Sequence, residues 1–190
     1  VISLFSSLSY WQLQRGLTKK AILSEINLSA QRPLVTQLST NSQLPMIQPV
    51  SLQGFFDSKR SILLNSRWHE GKIGYHVLLP FRTLENQWII VHCGWIENPD
   101  LVANHLPAHQ VSIEGTLIEP KKNWFVWHNI AKNEWPLQAL QIDLEDFSSR
   151  LGVSLFPRVV HLQSDSPWIF QAVNSSQTYL SPERHWGYAA

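Results

Sequence analysis

From residue 49 to residue 119 the chain is built of short runs in which apolar side chains fall at alternate positions. The clearest is 72–83, where Ile73, Tyr75, Val77, Leu79 and Phe81 share one face and Gly74, His76, Leu78 and Pro80 take the other. That period predicts a strand, because successive side chains of extended backbone point to opposite faces. Segments 49–57, 61–67 and 110–119 read the same way. Segment 87–97 is apolar on both faces, as a central strand would be. It follows 72–83 after a short turn at Glu85-Asn86, so 72–97 is expected to be a hairpin. Segment 123–129 is expected to pair back on 110–119 across Pro120-Lys121-Lys122, and 137–142 and 157–164 read as further strands.

Helical spacing occurs at three places. In 1–29, Leu13, Leu17, Ala21 and Ser24 form a stripe with Ile22 and Ile26 beside it, and Gly16 weakens the helix without ending it. In 143–152, Asp143 can cap, Leu144, Phe147 and Leu151 share a face, and Gly152 suits the stop. At the end, Ser181 as cap, Pro182 at the first position and Glu183 in the first turn begin another helix. The stretch 29–49 is polar and holds Pro33, Pro45 and Pro49, which predicts a loop. Together these predict one α+β domain: a mainly antiparallel sheet of seven or eight strands, barrel-like, with terminal helices and one short inserted helix.

Composition narrows the function. The 190 residues suit a single domain, and a hydrophobic content of 44% excludes disorder. Only 15% of residues are charged, against a usual ~25%. A surface so poor in charge points to contact with something other than water. The net charge of +1 and the scattered Lys and Arg exclude a nucleic-acid footprint. A single cysteine, Cys93, excludes an internal disulfide and a cysteine-based zinc site. Nine tryptophans favour cores, interfaces and membrane boundaries. No complete transmembrane run is present, since that takes about 20 apolar residues. Without an initiator Met or a charged signal region, the chain reads as cut from a longer one. Its start is apolar, then shows Tyr10 and Trp11, then Arg15, Lys19 and Lys20, the order of a helix leaving a bilayer. An amphipathic surface helix fits the same residues.

Catalytic constellations are scarce. His105 and His109 are four apart, but Pro107 between them argues against a helix that would bring them together. His76, His92, His128 and His161 lie in strand patterns, as hydrogen-bonded wall residues or as a group meeting inside a barrel; only the register decides. Cys93 sits in an apolar strand, where a thiol is an inert small hydrophobe. Glu145 and Asp146 suit a helix N-terminus better than acid–base work. Trp124 and Trp127 fall on opposite faces of a strand and make no stacking platform. His185 stands just inside the last helical pattern beside Trp186, one turn before Tyr188-Ala189-Ala190. A neutral imidazole there can ligate haem iron, and it can equally be a surface histidine.

Several segments, taken in order, carry a family resemblance. Trp11-Gln12-Leu13-Gln14-Arg15 with Lys19 resembles the opening of the Surfeit locus protein 1 family. Gly54-Phe55, Gly74-Tyr75 with Pro80, and Val91-His92-Cys93-Gly94-Trp95 resemble its middle pattern, and Val111 to Leu117 its next strand. His185-Trp186-Gly187-Tyr188-Ala189 is similar to the His-x-x-Tyr-Ala that begins the family's second transmembrane helix. Two departures stand out: His92-Cys93 replaces a frequent Asn-Arg, and the Gln-Trp-Phe that usually follows Tyr-Ala is absent. The resemblance implies a two-pass inner-membrane protein whose large domain faces the periplasm, or the mitochondrial intermembrane space. Residues 1–29 would be the helix leaving the membrane, 30–180 the β-rich soluble domain and 181–190 the start of the second transmembrane helix, the two helices side by side. It implies a non-enzymatic assembly factor for cytochrome c oxidase that binds haem a through His185 and Tyr188, His185 holding the iron. Cytochrome c oxidase subunit I, haem a synthase and membrane lipid are the implied partners, with no nucleic acid. Two other readings are an interaction scaffold that docks an oxidase subunit without haem, and an enzyme or lipocalin-like carrier using a barrel mouth.

Overall fold

The computed structural model describes residues 28–29, 31–39, 44–102, 106–120 and 134–172. Seven strands and one α-helix lie within them: β1 (Ile47–Phe56), β2 (Ile62–His69), β3 (Lys72–Thr83), β4 (Trp88–Ile96), β5 (Val111–Ile118), β6 (Leu137–Ala139), α1 (Leu144–Leu151) and β7 (Leu155–Leu162). The expected hairpin is β3–β4, and its turn places Asn86 at a φ of 63°. Strand β4, apolar on both faces, lies between β3 and β7 and is buried from Ile89 to Ile96. Strand 137–142 shortens to three residues. The expected strand 123–129, the first helix up to residue 27 and the final helix lie outside the described residues; residues 28–29 are helical.

The sheet has the order β1-β5-β7-β4-β3-β2-β6. It is mixed rather than wholly antiparallel: five of the seven described ladders are antiparallel, while β4 runs parallel to β7, and β2 parallel to β6. The barrel expectation is met only in part, because the seven strands do not all close into one ring. An extra β1–β3 ladder of Gly54↔Thr83, Phe55↔Arg82 and Phe56↔Phe81 curls the sheet, while β2 and β6 extend outside that contact.

Alternation along the strands builds two cores, one on each face. Val50, Leu52, Leu63, Val77, Leu79, Phe81, Val91, Cys93, Ile113 and Val160 fill the larger. Ile62, Leu64, Leu78, Ile90 and Val159 face the other way and meet Phe147 and Leu151 of α1. The helix forms where its residues predict it. Asp143 Oδ1 accepts from the Asp146 amide at 3.3 Å, and Gly152 takes the left-handed turn at φ 67°. Arg60 fastens its far end, donating to the Leu151 carbonyl at 2.7 Å and to Asp57 at 2.6 Å.

Candidate functional site

The helix covers only part of its face of the sheet. Leu78, Ile90 and Val159 point at α1 from three adjacent strands. Two residues further along each strand, on the same face, stand His76, His92 and His161. The period of two therefore sets a row of imidazoles beside the apolar patch under the helix. Expectation had them meeting, if at all, inside a barrel; they meet on the face opposite the larger core.

The rings engage one another. His92 and His161 are register partners across the parallel β4–β7 ladder, and their rings stack at 4.6 Å with planes 12° apart. His76 meets His92 edge-on at 4.8 Å, its Nδ1 lying 3.0 Å from His92 Nε2. A register shift between β3 and β4 at His76/Leu78 makes this diagonal approach possible. There Gly94 adopts a φ of 91°, a conformation an L side chain rarely takes, and its amide donates to His92 Nδ1 at 3.4 Å. An Nδ1 that accepts assigns the proton to Nε2, so His92 donates to His76.

Electrostatics hold the row neutral. Burial is the largest cause at all three positions, pushing His76 down to about 2, His92 to about 4, and His161 well below the ordinary histidine value. Arg67 adds a like charge that disfavours protonation of His76 and His92. This arginine enters through a register shift in β2, between Leu64 and Arg67, and donates to the Leu140 carbonyl at 2.6 Å. Its Nε is buried without a hydrogen-bond partner. Its own carbonyl accepts from Trp95 Nε1 at 2.8 Å.

Neutral imidazole is the form that ligates metals. Here, however, two of the facing nitrogens are spent on each other, and the stacked pair presents ring faces. Among the described residues no group of three or more His, Cys, Asp or Glu side chains is placed to hold a metal ion. The row forms instead a polar ladder that ties β3, β4 and β7.

The sequence-predicted candidates are scattered. His185 and Tyr188 lie outside the described residues, as do His105, His128, Trp124 and Trp127. His109 is exposed. Cys93 is buried and its thiol is pushed up by burial, so it is the inert hydrophobe its strand predicts. Asp146 pairs with Arg150 at 2.9 Å, a helix-surface role. At the departure from the family pattern, His92 belongs to the imidazole row and Cys93 to the larger core. Sequence reasoning named the three histidines as wall residues or as a group inside a barrel, with His128 among them, and passed over Arg67, whose only mark is its place in a strand.

Comparison with known proteins gives a consistent result. The model of the SURF1 family matches residues 1–190. A SURF1-like protein of Rickettsia felis is 29% identical over 154 residues, covering 74% of this chain and 68% of that protein. Those of Rickettsia conorii and Rickettsia bellii are 28% and 27% identical, each covering 78% of this chain and 62% of the relative. The chain thus spans somewhat under two thirds of the length of these last two relatives.

Proposed function

The chain belongs to the SURF1 family, and from that membership, which implies a part in cytochrome oxidase assembly, we propose a non-enzymatic factor that holds haem a and assists its insertion into the catalytic subunit. The observation that carries this reading is the extent of the match: it runs over all 190 residues, through His185-Trp186-Gly187-Tyr188-Ala189. Within the described domain the histidine row is closed on itself, His92 bonded to His76 and stacked on His161. The proposed contact is therefore His185 with Tyr188. An axial imidazole binds haem iron without committing it to chemistry, which suits holding and handover.

The proposed setting is the inner membrane, with two passes and the domain facing the periplasm or the intermembrane space. No helix among the described residues is long and apolar enough to cross a membrane, so both passes are assigned to the sequence around 1–29 and from 181 onward. Oxidase subunit I as recipient, haem a synthase as donor and membrane lipid are the proposed partners. A second reading, an interaction scaffold without haem, is favoured by exposed Trp135 and Leu140 flanking β6 at the sheet's end.

The test is a visible absorption spectrum of the full-length protein, purified in detergent from cells making haem a, beside His185→Ala. A haem band that collapses in the variant supports the carrier. An equal band in both removes His185 as the ligand, and no band in either leaves the scaffold.

A further inference from the structure

Strands β2 and β3 run past the rest of the sheet and end in a two-residue turn, Glu70-Gly71, with φ of 48° and 83°. Just before the turn Trp68 pairs with Ile73. Directly opposed residues of an antiparallel pair share a face, so the two side chains lie together. Their face is the one that Tyr75, Val77 and Leu79 extend into the larger core. Beyond that core no described residue covers them: Trp68 is 65% exposed and Ile73 55%. Leu101, also exposed, follows the end of β4, whose Ile96 pairs with Tyr75.

Charge at this tip is largely matched. Lys72 Nζ bonds Glu97 at 2.7 Å, and Glu70 accepts from the Gln171 side chain at 3.4 Å. Recognition there is apolar rather than electrostatic. A tryptophan beside an aliphatic side chain, rimmed by paired charges, matches the membrane–water boundary, where an indole places its ring among headgroups.

The path of the chain says which surface this tip meets. The final described segment packs Trp168, Ile169 and Phe170 on the larger core. Gln171 then bridges Trp95, with backbone bonds of 2.9 and 3.0 Å, and touches Glu70 of the turn. From there Ser181, cap of the apolar segment assigned to the membrane, is ten residues on, a reach of at most roughly 35 Å. The hairpin tip thus lies beside the last described residues of the chain, within that reach of Ser181.

We infer that the β2–β3 hairpin, through Trp68 and Ile73, seats in the lipid interface and sets the domain's orientation on the membrane. This rests on the membrane-anchored reading above. Leu84 provides the internal control. It is 50% exposed and lies at the other end of β3, roughly 36 Å away along the strand.

The experiment places single cysteines at Trp68→Cys, Ile73→Cys and Leu84→Cys in the full-length protein. Buried Cys93 stays unlabelled while the fold is intact. Each variant is labelled with an environment-sensitive fluorophore and reconstituted into phosphatidylcholine vesicles carrying headgroup-nitroxide lipid. The expected result is severalfold stronger nitroxide quenching at 68 and 73 than at 84, and iodide quenching in the reverse order. Equal iodide access at all three sites would overturn the inference, as would labels at 68 and 73 shielded from both quenchers, which would mean a protein partner. Should the protein wash off the vesicles in alkaline carbonate, the membrane anchor itself fails, and the hairpin with it; quenching on retained protein tests the hairpin alone.

Discussion

Mild acid should destabilise this domain through its imidazole row. His92 titrates at about 4 and His76 at about 2 in the folded chain, with His161 also well below the ordinary value. An unfolded histidine titrates near 6.5. Folded values that are depressed mean that the unfolded state binds more protons as pH falls below about 6.5, so stability is full above that pH and is lost going down. At about pH 5 an imidazole with a folded value near 4 has lost about 2 kcal/mol. His92 is buried and contributes this in full; half-buried His76 and His161 contribute less, because solvent screens them. The sum, about 3–5 kcal/mol, is a large share of the 5–15 kcal/mol typical of a domain. Urea denaturation followed by tryptophan fluorescence should show the midpoint falling steeply between about pH 6.5 and 5. His161→Phe keeps a ring against His92 and removes one titrating group, so its loss over the same interval should be visibly smaller. A midpoint that stays flat to pH 5, or a variant that falls as far as the parent, would refute a buried neutral row.

Three further outcomes follow from the packing. Phe147→Ala empties the fully buried contact between α1 and the sheet and should cost about 3–5 kcal/mol in urea denaturation. Gly74→Ala would drive a methyl group onto the Ile96 carbonyl and the Trp95 indole, so expression as soluble, cooperatively melting protein should be lost or Tm sharply lowered. Asp143→Ala removes the cap of α1 and should cost about 1 kcal/mol, without altering the far-ultraviolet signal of the sheet.

Much of this domain was legible in local pattern. Ile73 to Phe81 announced β3, the double apolar faces of 87–97 announced a central strand, and Asp143 with Gly152 bounded the helix. Cys93 read correctly as inert because an apolar strand is enough to bury it. These features depend on backbone period and on caps, which are properties of neighbouring residues. Strand partners are not. Nothing in 157–164 says that it lies parallel to β4, or in 137–142 that it lies parallel to β2, because the choice is settled by how both faces of the sheet are covered.

The imidazole row shows the same division most clearly. Local alternation marks His76, His92 and His161 as strand residues and puts each on the same side of its strand as Leu78, Ile90 and Val159. Long-range packing makes the three strands neighbours, brings Nδ1 to Nε2 through the shift at His76/Leu78, and sets Arg67 close enough to help keep the rings neutral. Trp68 and Ile73 follow suit: alternation marks them as apolar, but their exposure arises because β2 and β3 outrun the core that the other strands share. Period is set by backbone geometry over a few residues, whereas register, closure and exposure are set by contacts between segments far apart in the chain, whose relative placement no local pattern encodes.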